Sequence, residues 1–451
     1  MKNLKKDLRS KFLDFEIKKP TVAVLVLIQG ISIFSWWVAG SYLGFDVYSS
    51  RIFLGADGFC DPGSQGLGVH CWSDYYTVVH AAEAANPFSG EHPSLYPAAA
   101  LMPFMLFKWI SETSGILWLG LALYLFSMAA LISYSVWAAT RGQSFERRVL
   151  IFSALVLLSP AVLVVLDRGN STGFLIPILI WLFSSVKNQK ANHTIVSLAL
   201  LSAIKPHYGL VALAFILAGQ TKIGSKALGL GLTINLLPFF VFWPREFPNN
   251  LITWASTLLG YQEYGSITGL WPQNISFSQS IYLVSYSLDV ASGGLLRPVV
   301  SFIESRQGLW GPLVLLFILG LIFTFRKKLT LLQASILVIS AVTMTSAISY
   351  YYYIVVAIPF LLILDKDSNS DAGNKVEQTK TYAFGTNRIN FALWVSSIFT
   401  LLQLPVLGIA QDGEQIITTA VFTGGVWITC YVYILVVLAG SSKKSPLPQE
   451  K

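Results

Sequence analysis

The sequence predicts an all-α polytopic membrane protein, and three observations carry that prediction. Apolar side chains make up 54% of its 451 residues and charged ones only 12%, about half the charged fraction of an ordinary soluble domain. Mean hydropathy is +0.60. The apolar residues recur in runs near the length of about 20 that a helix needs to cross a bilayer, so the chain is long enough for about a dozen crossings with short loops. A net charge of +8 does not mark a nucleic-acid binder here. The basic residues fall in short segments between apolar runs and not on one face.

Those segments set the orientation. Residues 1–20 carry seven Lys/Arg, whereas the stretch 44–96 carries only Arg51, which places the N-terminal tail in the cytoplasm by the positive-inside rule. The first apolar run, Thr21 to Leu43, is too long for a cleaved signal and reads as a retained helix. Further spans are expected near 116–139, 148–166, 172–187, 194–204, 208–219, 226–243, 309–325, 330–347, 350–364, 390–411 and 415–438. The basic clusters Arg141/Arg147/Arg148, Lys187/Lys190, Lys222/Lys226, Arg326/Lys327/Lys328 and Lys443/Lys444 and the polar loop expected at 365–388 then all lie inside. The expected organisation is a tail at 1–20, a membrane unit at 21–438 with outer loops at 44–115 and 244–308, and a cytoplasmic tail at 439–451.

Two segments depart from simple crossings. Pro97 to Ile110 is apolar but about 14 residues long, which suits a helix lying in the interface. The runs 194–204 and 208–219 are also short and meet at Lys205-Pro206-His207, so they read as a hairpin dipping in from the cytoplasm. A broken helix at membrane depth is tolerated where protein or a water-filled cavity covers the freed backbone groups, which makes the break a candidate floor of a site.

The chemistry-bearing residues gather around the first outer loop and that break. Asp74, among Trp72, Tyr75 and Tyr76, is the candidate general base that would take a proton from an incoming hydroxyl. Asp46, just past the first span, is its alternative. Cys60 and Cys71 flank a Gly-rich segment in the same loop, and a disulfide is expected in an oxidising compartment. His80 and Glu83 have one-turn spacing, but with no third ligand they are not read as a metal site. Arg168 and Lys205 interrupt apolar stretches, and an ionisable residue at that depth is a site hypothesis by default, with snorkelling as its alternative. For Lys205 the expected partner is a phosphate held by a point charge, with Arg168 or His207 beside it. Tyr75, Tyr76 and Trp271 are candidates for stacking on sugar faces, against an alternative role as belt anchors.

The order of Ser73-Asp74-Tyr75-Tyr76, Asn86-Pro87-Phe88 and Tyr96-Pro97 resembles membrane glycosyltransferases of the GT-C fold. It is most similar to the polyprenyl-phosphate-sugar-dependent family eighty-seven, which includes mannosyl- and arabinofuranosyltransferases. Arg168-Gly169-Asn170 resembles that family's Gly-Gln or Gly-Asn turn, Lys205-Pro206 its Lys-Pro helix break, and Gln273-Asn274-Ile275-Ser276 its Asn-x-Ser loop. The chain departs from it at Tyr96-Pro97-Ala98, where members often have Tyr-Pro-Pro, and at Tyr350–Tyr353, where members often carry a preceding His. The resemblance implies a bundle of about twelve helices with juxtamembrane helices in the first outer loop. It also implies inverting transfer of a sugar, with mannose favoured, from a polyprenyl-phosphate donor to a lipid-linked or cell-envelope glycan outside the plasma membrane, without a cofactor. Asn170, Asn274, Tyr352 and Tyr353 join the substrate-binding set by that likeness. A secondary transporter or lipid flippase is the competing reading, since broken helices suit it.

Overall fold

The structure is a computed structural model that describes residues 22–43, 72–83, 86–89, 93–267, 274–346, 348–370, 380–404, 406–409 and 415–440. In chain order the helices are α1 (Val22–Leu43), α2 (Ser73–Glu83), α3 (Ala98–Ser114), α4 (Leu119–Ala139), α5 (Phe145–Phe152), α6 (Pro160–Arg168), α7 (Leu175–Lys187), α8 (Ala191–Ile204) and α9 (Val211–Leu217). They continue with α10 (Thr221–Phe242), α11 (Asn249–Ile267), α12 (Phe277–Ala291), α13 (Arg297–Glu304), α14 (Gln307–Phe325), α15 (Leu331–Thr343), α16 (Ala357–Ser370), α17 (Lys380–Leu402) and α18 (Ala420–Gly440).

Length and burial run in opposite directions. Among the described residues four helices, α4, α10, α14 and α18, qualify as membrane spans by length and apolar composition. A fifth forms if α5 and α6, bent by 48° where a π-turn at Ser153–Leu157 meets Pro160, count as one. These long helices expose large apolar side chains such as Phe126, Leu131, Leu232, Phe240, Leu316, Phe323 and Val436, a surface that fits lipid and not water. The short helices make the interior. Every residue of α15 from Gln333 to Thr343 is buried, the mark of a helix apolar on all sides. A capping box at Thr330 and Gln333 satisfies its first-turn N–H groups.

The segment 194–219, expected as a hairpin, forms α8, a 3-10 turn at Pro206–Leu210, and α9, which lie in succession along α10, Ser202 at Gly231 and Ala212 at Gly224, instead of folding on each other. Its break has a local cause. Proline has no N–H to continue the helix and pushes the residue before it out of the α region, and Lys205 accordingly takes φ −144° and ψ 116°. Both arms pack on α10. At Gly231 a Cβ would stand 2.6 Å from Ser202 Oγ, so α8 and α10 approach through small residues, as membrane helices do. The short helix expected after Pro97 is α3, which folds back against α4.

Three expectations change in detail. The segment 244–308, expected as an outer loop, is largely helical and forms α11, α12 and α13. The spans placed at 390–411 and 415–438 end and begin at Leu402 and Ala420, because Val406–Ile409 and Gln415–Thr418 pair as an antiparallel hairpin, Val406 opposite Thr418. Apolar, β-branched residues there look like membrane helix by hydropathy, yet Ile416, Ile417 and Thr418 serve a strand equally well. The polar segment 365–388 is entered by α16, which runs to Ser370, and by α17, which starts at Lys380. Of the expected twelve spans, the four or five named above meet the length and composition of a crossing.

Candidate functional site

The residues nominated from sequence around Asp74 converge where several short helices end. Asp74 lies in the first turn of α2, Arg168 closes α6, Asn170 caps the 3-10 turn Ser171–Phe174, and Lys205 closes α8. Gly169 brings the first two together. It adopts φ +62°, which terminates α6 in a left-handed cap, and its Cα sits so close to α2 that a Cβ would meet Tyr75 Cβ at 2.8 Å. Arg168 and Asn170 therefore face the residue next to Tyr75.

That residue is Asp74, and its carboxylate is gripped from three directions. Arg168 donates from Nε to Oδ2 at 2.7 Å and from Nη2 to Oδ1 at 2.6 Å, the parallel fork that matches a carboxylate. Asn170 Nδ2 donates to Oδ2 at 2.8 Å and to the Tyr96 hydroxyl at 3.2 Å. The arginine side chain is 6% exposed and the aspartate 19%, so the pair is shielded without being sealed. Burial pushes the Asp74 carboxyl up, but the Arg168 charge, the hydrogen bonds from Arg168 and Asn170, and the Lys205 charge outweigh it and hold the group below the ordinary carboxylate value. Asp74 is ionised at neutral pH.

Lys205 completes the cluster. Its Nζ stands 3.8 Å above the centre of the Tyr96 ring and 5.8 Å from that of Tyr353, a cation–π seat. Among the described residues no hydrogen-bond acceptor engages this ammonium, so its three donors remain for an anion. His207 lies one turn on, its ring 6.0 Å from Tyr353 and 4.8 Å from Tyr208. The Tyr208 hydroxyl is hydrogen-bonded to Thr343 Oγ1 at 2.9 Å, tying the turn between α8 and α9 to the end of α15.

Tyr96 is placed by its own loop. Phe88 inserts against Phe239 and Trp243 at the end of α10, with ring centres at 4.8 and 5.6 Å. Trp254 of α11 donates from Nε1 to the Leu95 carbonyl at 3.3 Å. The motif Asn86-Pro87-Phe88 is thus an anchor for the approach to Tyr96. Sequence reasoning noted Tyr96 only as part of a pattern and missed its place under Lys205; a tyrosine preceding a proline-led helix carries no local signal of a cation elsewhere in the chain.

Other nominated residues serve the frame. Tyr75 is 3% exposed and packs on Phe104 and Tyr124, which makes it a core residue and not an open sugar platform; Tyr76 is half-buried and stands edge-on to it. Tyr352 and Tyr353 are buried, with Arg168 Cζ 6.0 Å from the Tyr352 ring centre. Asn274 Oδ1 accepts from the backbone N–H groups of Ser276 and Ser349 at 3.0 and 2.8 Å. It clasps the approach to Tyr350–Tyr353, so its influence on the cluster passes through that segment. Asp46, Cys60, Cys71 and Trp271 lie outside the described residues, as does the Glu83 side chain. Among the described residues no three His, Cys, Asp or Glu side chains come together to suit a metal.

A small cavity lined by Ser340, Thr343, Thr423 and Trp427 among others lies beside Thr343, the partner of the Tyr208 hydroxyl.

The class that fold and cluster define is a helical membrane protein with an ionic site built at the ends of short helices. No protein-family model, curated protein or solved structure matches the chain.

Proposed function

We propose that the chain is a GT-C type membrane glycosyltransferase that moves a sugar, with mannose favoured, from a polyprenyl-phosphate donor to a hydroxyl of a lipid-linked or cell-envelope glycan on the outer side of the plasma membrane. The observation that carries this reading is the junction of an ionised carboxylate, Asp74, with an unclaimed ammonium, Lys205, in a cluster that also holds Arg168. The resemblance to family eighty-seven and the charge asymmetry between the N-terminal tail and the first loop add the substrate class and the sidedness.

In this mechanism the acceptor hydroxyl loses its proton to Asp74 while its oxygen attacks the anomeric carbon. The bond from that carbon to the phosphate oxygen breaks, and its electron pair leaves with the polyprenyl phosphate, inverting the centre. Lys205 meets the growing phosphate charge, where a preorganised cation contributes most. The fork from Arg168 keeps Asp74 ionised but also weakens it as a base. An incoming donor phosphate relieves this by competing for the guanidinium, which then serves both anions.

The helix break between α8 and α9, with the cation Lys205 at it, is the feature that favours the transporter reading. One experiment separates the two. Purified protein in nanodiscs is given synthetic polyprenyl-phosphate mannose and a short mannoside acceptor, with product read by mass spectrometry. Transfer that falls about a hundredfold or more in Asp74→Asn, and falls with weaker donor binding in Lys205→Ala, supports the enzyme. Absence of any glycosidic product, with flux of the same lipid lost in Lys205→Ala reconstituted into vesicles, removes it.

A further inference from the structure

The arrangement around Asn170 contains more than a hydrogen bond to Asp74. Its side-chain Oδ1 accepts from Thr172 N at 2.9 Å and from Thr172 Oγ1 at 2.8 Å, and Thr172 is fully buried. The first is the ordinary capping bond of a helical turn, for which aspartate, asparagine and serine serve about equally. The second comes from the threonine hydroxyl and fills the other lone pair of Oδ1. With both acceptor sites taken, the amide can present only its NH2 end outward, and both N–H groups are used, one on Asp74 Oδ2 and one on the Tyr96 hydroxyl. A flipped amide would set an N–H against the Thr172 backbone N–H and its oxygen against the carboxylate.

The consequence falls on Asp74. Oδ2 receives Arg168 Nε and Asn170 Nδ2 and has no lone pair left, whereas Oδ1 receives only Arg168 Nη2. We propose that Asn170 and Thr172 are positioning residues that saturate Oδ2 of Asp74 and so make Oδ1 the atom that accepts the proton of the incoming hydroxyl. The inference rests on the reading of Asp74 as the base. It also accounts for asparagine at a cap that aspartate would fill as well, since aspartate there would offer Asp74 a like charge in place of a donor.

The proton inventory closes on this atom. The acceptor hydroxyl gives its proton to the remaining lone pair of Oδ1, and Oδ2 keeps its two hydrogen bonds throughout. The carboxyl therefore leaves the step protonated on one defined oxygen, facing away from Asn170.

Thr172→Val, Thr172→Ser, Asn170→Asp and Asp74→Asn decide the matter in the nanodisc assay with polyprenyl-phosphate mannose, measured from pH 3 to 8 so that the limb set by the depressed Asp74 carboxyl falls in range. Thr172→Val removes one of the two donors on Asn170 Oδ1. It should lower kcat about fivefold, the weight of one hydrogen bond, leave the donor KM within about twofold, and move the acid limb toward neutral pH, because a donor that depressed the carboxyl is loosened. Thr172→Ser should restore rate and limb. Asn170→Asp keeps the cap, so the protein should remain folded, yet the added charge should move the limb further in the same direction. An unchanged limb in both Thr172→Val and Asn170→Asp would overturn the proposal. Equal losses in Thr172→Val and Thr172→Ser would also do so by reducing Thr172 to packing. Full activity in Asp74→Asn would instead sink the base assignment beneath it; loss in Asp74→Asn with no effect at Thr172 or Asn170 removes the positioning role alone.

Discussion

Replacing Arg168 by alanine tests the electrostatics of the cluster directly. The variant leaves Asp74 with one hydrogen bond from Asn170 and the charge of Lys205, at a side chain 19% exposed. Removing one partner of a buried ion pair costs about 3–5 kcal/mol, because the other charge stays behind uncompensated. The remaining partners and the partial access to water put this case at or below the bottom of that range, about 2–3 kcal/mol. The pH dependence has a definite sign. In the native protein the depressed Asp74 carboxyl contributes stability that is full above the unfolded value of about 3.9 and is lost as pH falls through the lower folded value. In Arg168→Ala the burial that raises the carboxyl remains and the guanidinium that opposed it is gone, so the group should titrate above its ordinary value. The deficit should then be largest at neutral pH and shrink as acid protonates Asp74. Equilibrium unfolding of the nanodisc-embedded or detergent-solubilised protein at pH 7 and pH 5 measures this, with Asp74→Asn combined with Arg168→Ala as the neutral reference. The double variant should be more stable at pH 7 than Arg168→Ala alone. A single variant as stable as the native protein, or a double variant that shows the full sum of the two losses, would refute the reasoning.

Two further outcomes follow from the same geometry. Gly169→Ala should lower stability by more than the cost of a left-handed alanine alone, about 1–2 kcal/mol, because its Cβ would meet Tyr75 Cβ at 2.8 Å; an unfolding midpoint equal to the native one would show that α2 and α6 can separate freely. Tyr96→Phe keeps the ring under Lys205 and should hold the donor KM within about twofold. Tyr96→Leu removes a cation–π contact worth about 0.5–2 kcal/mol and should raise KM by about 2- to 30-fold; equal KM values for the two variants would show that the ring face is idle.

What the sequence by itself determined was the kind of solvent the chain is built for and the local breaks within it. Hydropathy needs no partner to be read, so the membrane class, the long apolar helices α4, α10, α14 and α18, and the short broken pair at Lys205-Pro206 were all legible. The proline acts on its own neighbours. Arg168 and Lys205 stood out for the same reason, since a charge in an apolar run is conspicuous wherever the run folds, and Asp74 stood out by the aromatic residues around it in the first loop. Their mutual geometry was not legible. Asp74 and Arg168 are 94 positions apart in the chain, and only packing, through the close approach of Gly169 to Tyr75, closes that separation into a fork. The tertiary structure likewise decided which aromatics lie in the core, as with Tyr75, and which seat a cation, as with Tyr96, because composition assigns a ring no neighbour. It also paired Val406–Ile409 with Gln415–Thr418 as strands, apolar segments that hydropathy alone cannot tell from the ends of membrane helices.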